Sequence, residues 1–276
     1  MTGYLNAITF TAISVWCSFQ TGNFLQLSMS FARLFEGPNS FENWSFRTAD
    51  GHALCSLLTF NIGASLGRVG DRIGATKRGW LVGGTILQAL LTVAAAITIW
   101  KSGESSDITA TERGLPGWTS TPLSFVALAF MSISLGIQGI QAKRLNTQFG
   151  TTLVLTTLWV ELVSDPRLFK TREKVVSRDH KVIAALAVFA GGATGHTLVY
   201  KIGFAGALWI AVGLRLLIAV AWIYVVDDSP ILHEVRERAH AGHERLPVGH
   251  EHERAPGSPR NTGKAPAPQL AILNDE

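Results

Sequence analysis

The sequence predicts an all-α fold: a polytopic transmembrane helical bundle of about six spans, in two inverted three-span repeats that each carry a short re-entrant or broken helix. Three observations predict it. Apolar residues make up 47% of the chain and charged residues 16%, and the charges collect between long apolar runs and in the C-terminal tail. Four of those runs, Gly79–Trp100, Pro122–Ala142, Val182–Tyr200 and Phe204–Val226, are almost free of charge. Each is close to the roughly 20 residues that a helix needs to cross the hydrocarbon core. Short motifs from the first half also recur in the second at a constant offset.

The elements follow in order. Met1–Leu34 is too long for one ordinary span and is interrupted at Gln20-Thr21-Gly22-Asn23. The expected arrangement is a span near Met1–Phe19 followed by a short re-entrant helix over Phe24–Leu34. The loop Phe35–His52 sets Glu36, Glu42 and Asp50 against Arg47 and contains the glycosylation sequon Asn43-Trp44-Ser45, so it reads as exoplasmic. The second span is Ala53–Gly67. Arg68, Arg72, Lys77 and Arg78 against Asp71 make the next loop cytoplasmic by the positive-inside rule. Gly79–Trp100 is the third span, and the loop to Thr121, poor in basic residues, is exoplasmic. The fourth span, Pro122–Ala142, ends at Lys143 and Arg144, which are expected on the cytoplasmic side, as is the basic stretch after Asp165. Thr151–Val163 between them is apolar but too short to cross, so it is expected to enter and leave on one side. Val182–Tyr200 and Phe204–Val226 complete the six, with both termini cytoplasmic.

Residues 1–226 thus form a membrane domain, with repeat one over 1–100 and repeat two over 122–226. Residues 227–276 hold six of the ten prolines and five of the eight histidines, and read as a disordered cytoplasmic tail beyond a short amphipathic helix around Ile231–His243. The lipid bilayer is the first partner implied; a small polar solute and self-association are compatible with it. The basic residues cluster beside spans, which explains the net charge of +4 without nucleic acid. Cys17 and Cys55 lie in apolar surroundings and read as packing residues. The tail histidines His233, His240, His243, His250 and His252 match no closed metal site, and no phosphate loop, catalytic triad or cofactor fingerprint appears. The expectation is no metal, no cofactor and no enzymatic activity. Which cellular membrane holds the chain is not legible.

The halves match by more than hydropathy. Phe60-x-x-Gly63-Ala64-Ser65 recurs as Phe189-x-x-Gly192-Ala193-Thr194, and Trp80-x-x-x-Gly84 as Trp209-x-x-x-Gly213, both at an offset of 129 (189 − 60 and 209 − 80). Gly3-x-x-Asn6 is similar to Gly136-x-x-Gly139, and Thr21-Gly22 to Thr156-Thr157. An odd number of spans per half requires the two to face opposite ways. About a dozen apolar residues precede Gly136 in its span and two precede Gly3, so the repeat predicts that the first span lacks its leading half.

Gly3-Tyr4-Leu5-Asn6-Ala7, Phe19-Gln20-Thr21-Gly22-Asn23, Arg78-Gly79-Trp80 and Leu135-Gly136-Ile137-Gln138 resemble the YoaK-like family of membrane proteins (domain of unknown function family 1275), its fungal branch in particular. The resemblance covers Met1 to about Val226 and implies an integral membrane protein, with no activity attached. Two departures stand out: the acidic position of the first motif is Asn6, and the second Thr-Gly is Thr156-Thr157.

The candidate substrate-binding residues are Gln20, Thr21, Gly22, Asn23, Thr156, Thr157, Glu161 and Arg215. At the first helix break, Gly permits a bend and the following helix N-terminus presents free N–H groups to a polar or anionic solute; a purely structural kink is the alternative. Arg215, mid-span, should face the interior and be paired, with Glu161 the expected partner and Asp165 the second. Asn61, Gln88, Gln138, Gln141 and His196 read as interhelical hydrogen-bond partners. Gly63-x-x-x-Gly67 and Gly191-x-x-x-Gly195 read as small-residue faces for close helix packing. The two functional expectations are a transporter or permeation protein for a small polar or anionic solute, and a non-transporting membrane scaffold or accessory protein.

Overall fold

The computed structural model describes residues 1–35, 46–102, 122–145, 155–166, 168 and 175–224. Among these the chain is all helical, without strands: α1 (Thr2–Ile13), α2 (Gln20–Ala32) with a 3-10 turn at Arg33–Phe35, α3 (Thr48–Gly67), α4 (Val69–Ile73), α5 (Arg78–Ser102), α6 (Leu123–Leu145), α7 (Leu155–Val163) and α8 (Val176–Tyr224). The compact unit runs from Met1 to Ser229. The sequon, most of the two loops expected to be exoplasmic (36–45 and 103–121) and the tail with its expected helix and disorder lie outside the described residues, and the end of the first loop forms the start of α3.

Three helices, α5, α6 and α8, are long and apolar enough to cross a membrane. The distribution of polarity agrees. Arg215, Asn6, Asn23, His52 and Gln88 are buried, whereas Leu58, Leu90, Phe189 and Leu217 lie on the outside. Apolar exterior and polar interior are what a lipid solvent selects. This is a membrane protein. α3 has 20 residues but opens on Asp50 and His52, and is not among the three.

α8 is two helices. Gly203 adopts φ 76°, ψ 173°, a conformation essentially confined to glycine. The chain folds back there, as Tyr4 shows. Its carbonyl oxygen lies 2.7 Å from where a Cβ on Gly195 would sit, and its hydroxyl donates to the Ala207 carbonyl at 2.7 Å. Twelve residues of unbroken helix would hold those two points ~18 Å apart, beyond the reach of one tyrosine. The limbs 176–202 and 204–224 correspond to the two expected apolar runs, separated by the one residue that tolerates the turn.

The first span is not as expected. α1 has 12 residues, about 18 Å of helix, instead of a run through Phe19. It ends at Ser14, the one non-glycine residue with positive φ (56°) among the described residues. The break therefore falls over residues 14–19, and Gln20-Thr21-Gly22-Asn23 forms the first turn of α2 rather than the interruption. The second helix likewise starts at Gln20 instead of Phe24.

Helix pairs form where glycine lets backbones touch. In the α3–α6 pair, a Cβ on Gly63 would fall 2.1 Å from the Ile133 carbonyl oxygen, and one on Gly136 would fall 2.3 Å from that of Phe60. In the pair formed by α1 and the first limb of α8, a Cβ on Gly3 would fall 2.1 Å from the Val188 carbonyl oxygen, and one on Gly191 would fall 3.2 Å from the Tyr4 nitrogen. Gly67 faces Ile140 and Gly195 faces Tyr4. In both pairs residue numbers rise together along the contact, so the helices are parallel. α5 packs against α6 and α8, and α7 rests on the start of α8 through Leu158, Ala184 and Ala185.

Candidate functional site

Arg215 stands near the middle of the second limb of α8 and is 1% exposed. Its Nη1 donates to Oε1 of Gln88 on α5. Arginine has donors only, so Gln88 must turn its carbonyl toward it and keep its amide N–H to give away. That amide donates to Oε1 of Gln141 on α6, which in turn donates from Nε2 to the Trp80 carbonyl at 3.3 Å. Three helices are thus joined by a directed chain whose orientation is set by the arginine. Gly84 makes room for it: a Cβ there would fall 2.1 Å from Nε2 of Gln141.

The other side of the guanidinium is unmatched. Nε and Nη2 of Arg215 are buried and make no hydrogen bond among the described residues. Among the described residues no carboxylate pairs with it, for Asp50 binds Arg33, Asp71 binds Arg144, Asp179 binds Arg178 and Glu161 binds Lys181. Arg215, Thr85, Gln88, Gln138 and Gln141 line a cavity of about 200 Å³. A buried charge without a counter-charge is among the most unfavourable things a membrane interior holds, and each unmade bond of a buried charged donor forfeits about 1.5–3 kcal/mol. The site has positive charge, amide and hydroxyl groups and space.

A second polar cluster closes the break between α1 and α2. Asn23, fully buried, accepts from the Trp16 N–H at 3.1 Å and donates to the Trp16 carbonyl at 2.6 Å, doing for that residue what a neighbouring backbone would. It also donates to Gln20 Oε1 at 3.0 Å and to Ser56 Oγ at 3.1 Å. Asn6 works from the other side. Its Oδ1 accepts from the Ser18 N–H at 3.1 Å, and its Nδ2 donates to the Ser18 hydroxyl and, at 2.9 Å, to the Thr2 carbonyl. Ser56 donates to the Trp16 carbonyl at 2.7 Å and meets Ser132 at 3.0 Å, tying the break to α3 and α6. Gly22 is not a bend. It is a close approach, since a Cβ there would fall 2.9 Å from the Trp16 ring, itself stacked on Phe10.

The structure does not bring the sequence-derived candidates together. Gln20 and Asn23 belong to the clamp, and Thr21 and Gly22 are exposed beside it. Thr156 and Thr157 are exposed on α7 and do not face the first break. Glu161 forms an ion pair with Lys181 at 3.1 Å rather than with Arg215, because α7 packs on the first limb of α8 and Arg215 is on the second. Only Arg215 of that set lines the cavity. Its companions Gln88 and Gln141 were legible as interhelical partners but not as site residues; Gly84 was legible only within the Trp80-x-x-x-Gly84 motif, and Thr85 carried no signal of its own.

No curated protein and no solved structure matches the chain. A family model, described as a protein of unknown function (DUF1275), matches residues 1–221, which takes in the clamp, the glycine crossings and Arg215. The chain therefore belongs to the DUF1275 family.

Proposed function

We propose that this chain is a multi-pass permeation protein, not an enzyme, that binds a small anionic solute at the Arg215 cavity and carries it across the bilayer. The observation that carries the reading is a buried guanidinium, without a carboxylate partner among the described residues, that lines a cavity together with Thr85, Gln88, Gln138 and Gln141. A cavity of about 200 Å³ suits a small solute, below the usual range for drug-sized ligands.

The two-repeat arrangement is part of the proposal. Helix α3 of the first half packs in parallel on α6 of the second, and the first limb of α8 packs in parallel on α1, the reciprocal exchange that a two-fold relation produces. Thr2, at the start of α1, meets Gln138 near the end of α6 at 3.2 Å, so these two leading helices run oppositely. The six-span topology draws support from the Arg144–Asp71 ion pair at 2.7 Å, which ties the end of α6 to the basic loop expected on the same side. On that topology the cavity opens toward the cytoplasm, since Gln141 and Leu145 lie toward the cytoplasmic end of α6. Within its family the chain reads as a YoaK-like member of fungal type, on the motifs given above.

The fully satisfied clamp at Asn23 favours the alternative, a non-transporting scaffold. Flux in proteoliposomes decides between them. Wild-type protein should pass small monovalent anions and Arg215→Ala should abolish the flux while remaining folded. Absence of flux for every small anion tried would remove the transport reading.

A further inference from the structure

We infer that the corner between α3 and α4 binds the headgroup of an anionic phospholipid, with the phosphate held by Arg68 and Arg72. α3 ends at Gly67 and the membrane-length α5 begins at Arg78, so the residues between them lie at the edge of the hydrocarbon, at headgroup depth. There Ser65, Arg68, Val69, Asp71 and Arg72 line a hollow of about 410 Å³. Both arginines are exposed, and among the described residues neither side chain makes a hydrogen bond or an ion pair. The one carboxylate on the hollow, Asp71, is held by Arg144 at 2.7 Å, so its charge is already matched and the two guanidiniums leave the site positive. Each guanidinium is a planar fork of donors suited to phosphate oxygens. Lys77 and Arg78, also exposed, add to the attraction for an anionic leaflet. The apolar neighbours specify that the phosphate belongs to a lipid. Leu66, Val69 and Ile73, which flank the arginines in the chain, are each close to half exposed. Acyl chains cover such a surface, whereas a free phosphate leaves it wet. The corner is also held in place: a Cβ on Gly70 would collide with the Trp80 indole, and Gly74, at φ 112°, turns the chain toward α5. The inference rests on the membrane placement alone and is independent of the Arg215 reading.

Calorimetric titration of the purified full chain in neutral detergent micelles tests this. The probes are dioctanoyl phosphatidylglycerol, dioctanoyl phosphatidylcholine, inorganic phosphate and an aspartate-rich peptide. Phosphatidylglycerol should bind about tenfold or more tightly than phosphatidylcholine, whose ammonium cancels the charge that the arginines meet. Arg68→Gln and Arg72→Gln should each lower phosphatidylglycerol affinity by about tenfold or more, with helix content by circular dichroism unchanged, since both side chains are exposed. Lys143→Gln removes an exposed charge outside the hollow, next to the residue that pairs with Asp71. It should lower affinity by no more than about fivefold, the share of the general field. Equal losses in Arg72→Gln and Lys143→Gln would overturn the site in favour of diffuse attraction. Phosphatidylcholine as tight as phosphatidylglycerol would overturn the anionic assignment. Inorganic phosphate or the peptide as tight as phosphatidylglycerol would overturn the lipid assignment, and no binding of any probe would overturn the inference outright.

Discussion

The clamp at residues 14–23 and the cavity at Arg215 are both polar clusters within apolar helices, and they differ in whether their donors and acceptors come out even. In the clamp, each side-chain amide replaces a backbone partner that the helix break removed. Asn23 serves Trp16 and Asn6 serves Ser18, so little is left over for a ligand. At Arg215 the sum does not close: one guanidinium, one neutral amide acceptor and two buried nitrogens without partners. A polar cluster that is complete within the protein stabilises a shape, whereas one that is incomplete is poised to bind.

The comparison predicts opposite responses to substitution, and the largest effect is expected in the clamp. Asn23→Leu orphans the Trp16 N–H, takes one of two donors from the Trp16 carbonyl and removes the bonds to Gln20 and Ser56, and should cost about 2–4 kcal/mol, seen as a fall in the unfolding midpoint in micelles. Arg215→Met should reduce anion affinity by about 100-fold, with the unfolding midpoint unchanged or raised, because removing a buried unpaired charge relieves the bundle. A large loss of stability in Arg215→Met would erase the distinction between the clusters. Gly203→Ala forces a Cβ into a conformation reserved for glycine and should cost about 1–3 kcal/mol, without changing the anion preference of the fraction that folds. Gly84→Ala should push aside the Gln141 amide, a mobile group, and lower affinity several-fold with little change in stability. The smallest effect is expected at Glu161. Its pair with Lys181 is partly exposed, so Glu161→Gln should shift stability by no more than ~1 kcal/mol and leave anion binding untouched; an affinity change there would reconnect α7 to the site.

The sequence carried the long-range plan better than the local detail. The apolar runs marked α5, α6 and both limbs of α8, because length and hydropathy are properties of one segment. The turn between the limbs was readable as a gap, and Gly203 explains it. The position of the first break was not readable. Residues 14–19 contain neither glycine nor proline, and the helix ends there because Asn6, Asn23 and Ser56 supply hydrogen bonds from elsewhere. Gly22, read as a hinge, is a place where an indole comes close. The wrong partner for Arg215 has a similar cause. Glu161 was the expected partner as the acid of the second short helix, but partner choice follows from which limb α7 touches. Under the two-repeat proposal one further signal was present. The offset of 129 sets Arg215 opposite position 86 (215 − 129), half a turn from Gln88, and helices related by a two-fold axis meet near equivalent positions.

The packing of α1 on the first limb of α8 has a consequence for how the chain is made. Gly3 and Tyr4 pack against Val188, Gly191 and Gly195, so the partner of the first helix is translated nearly last. At ordinary synthesis rates of about 5–20 residues per second, α1 waits roughly 10–40 s in the bilayer before its contact exists. During that interval a helix of 12 residues, with Asn6 buried only once assembly is complete, is the segment most in need of a guardian in the insertion machinery. Biogenesis, more than the finished bundle, is where substitutions in α1 should do their harm.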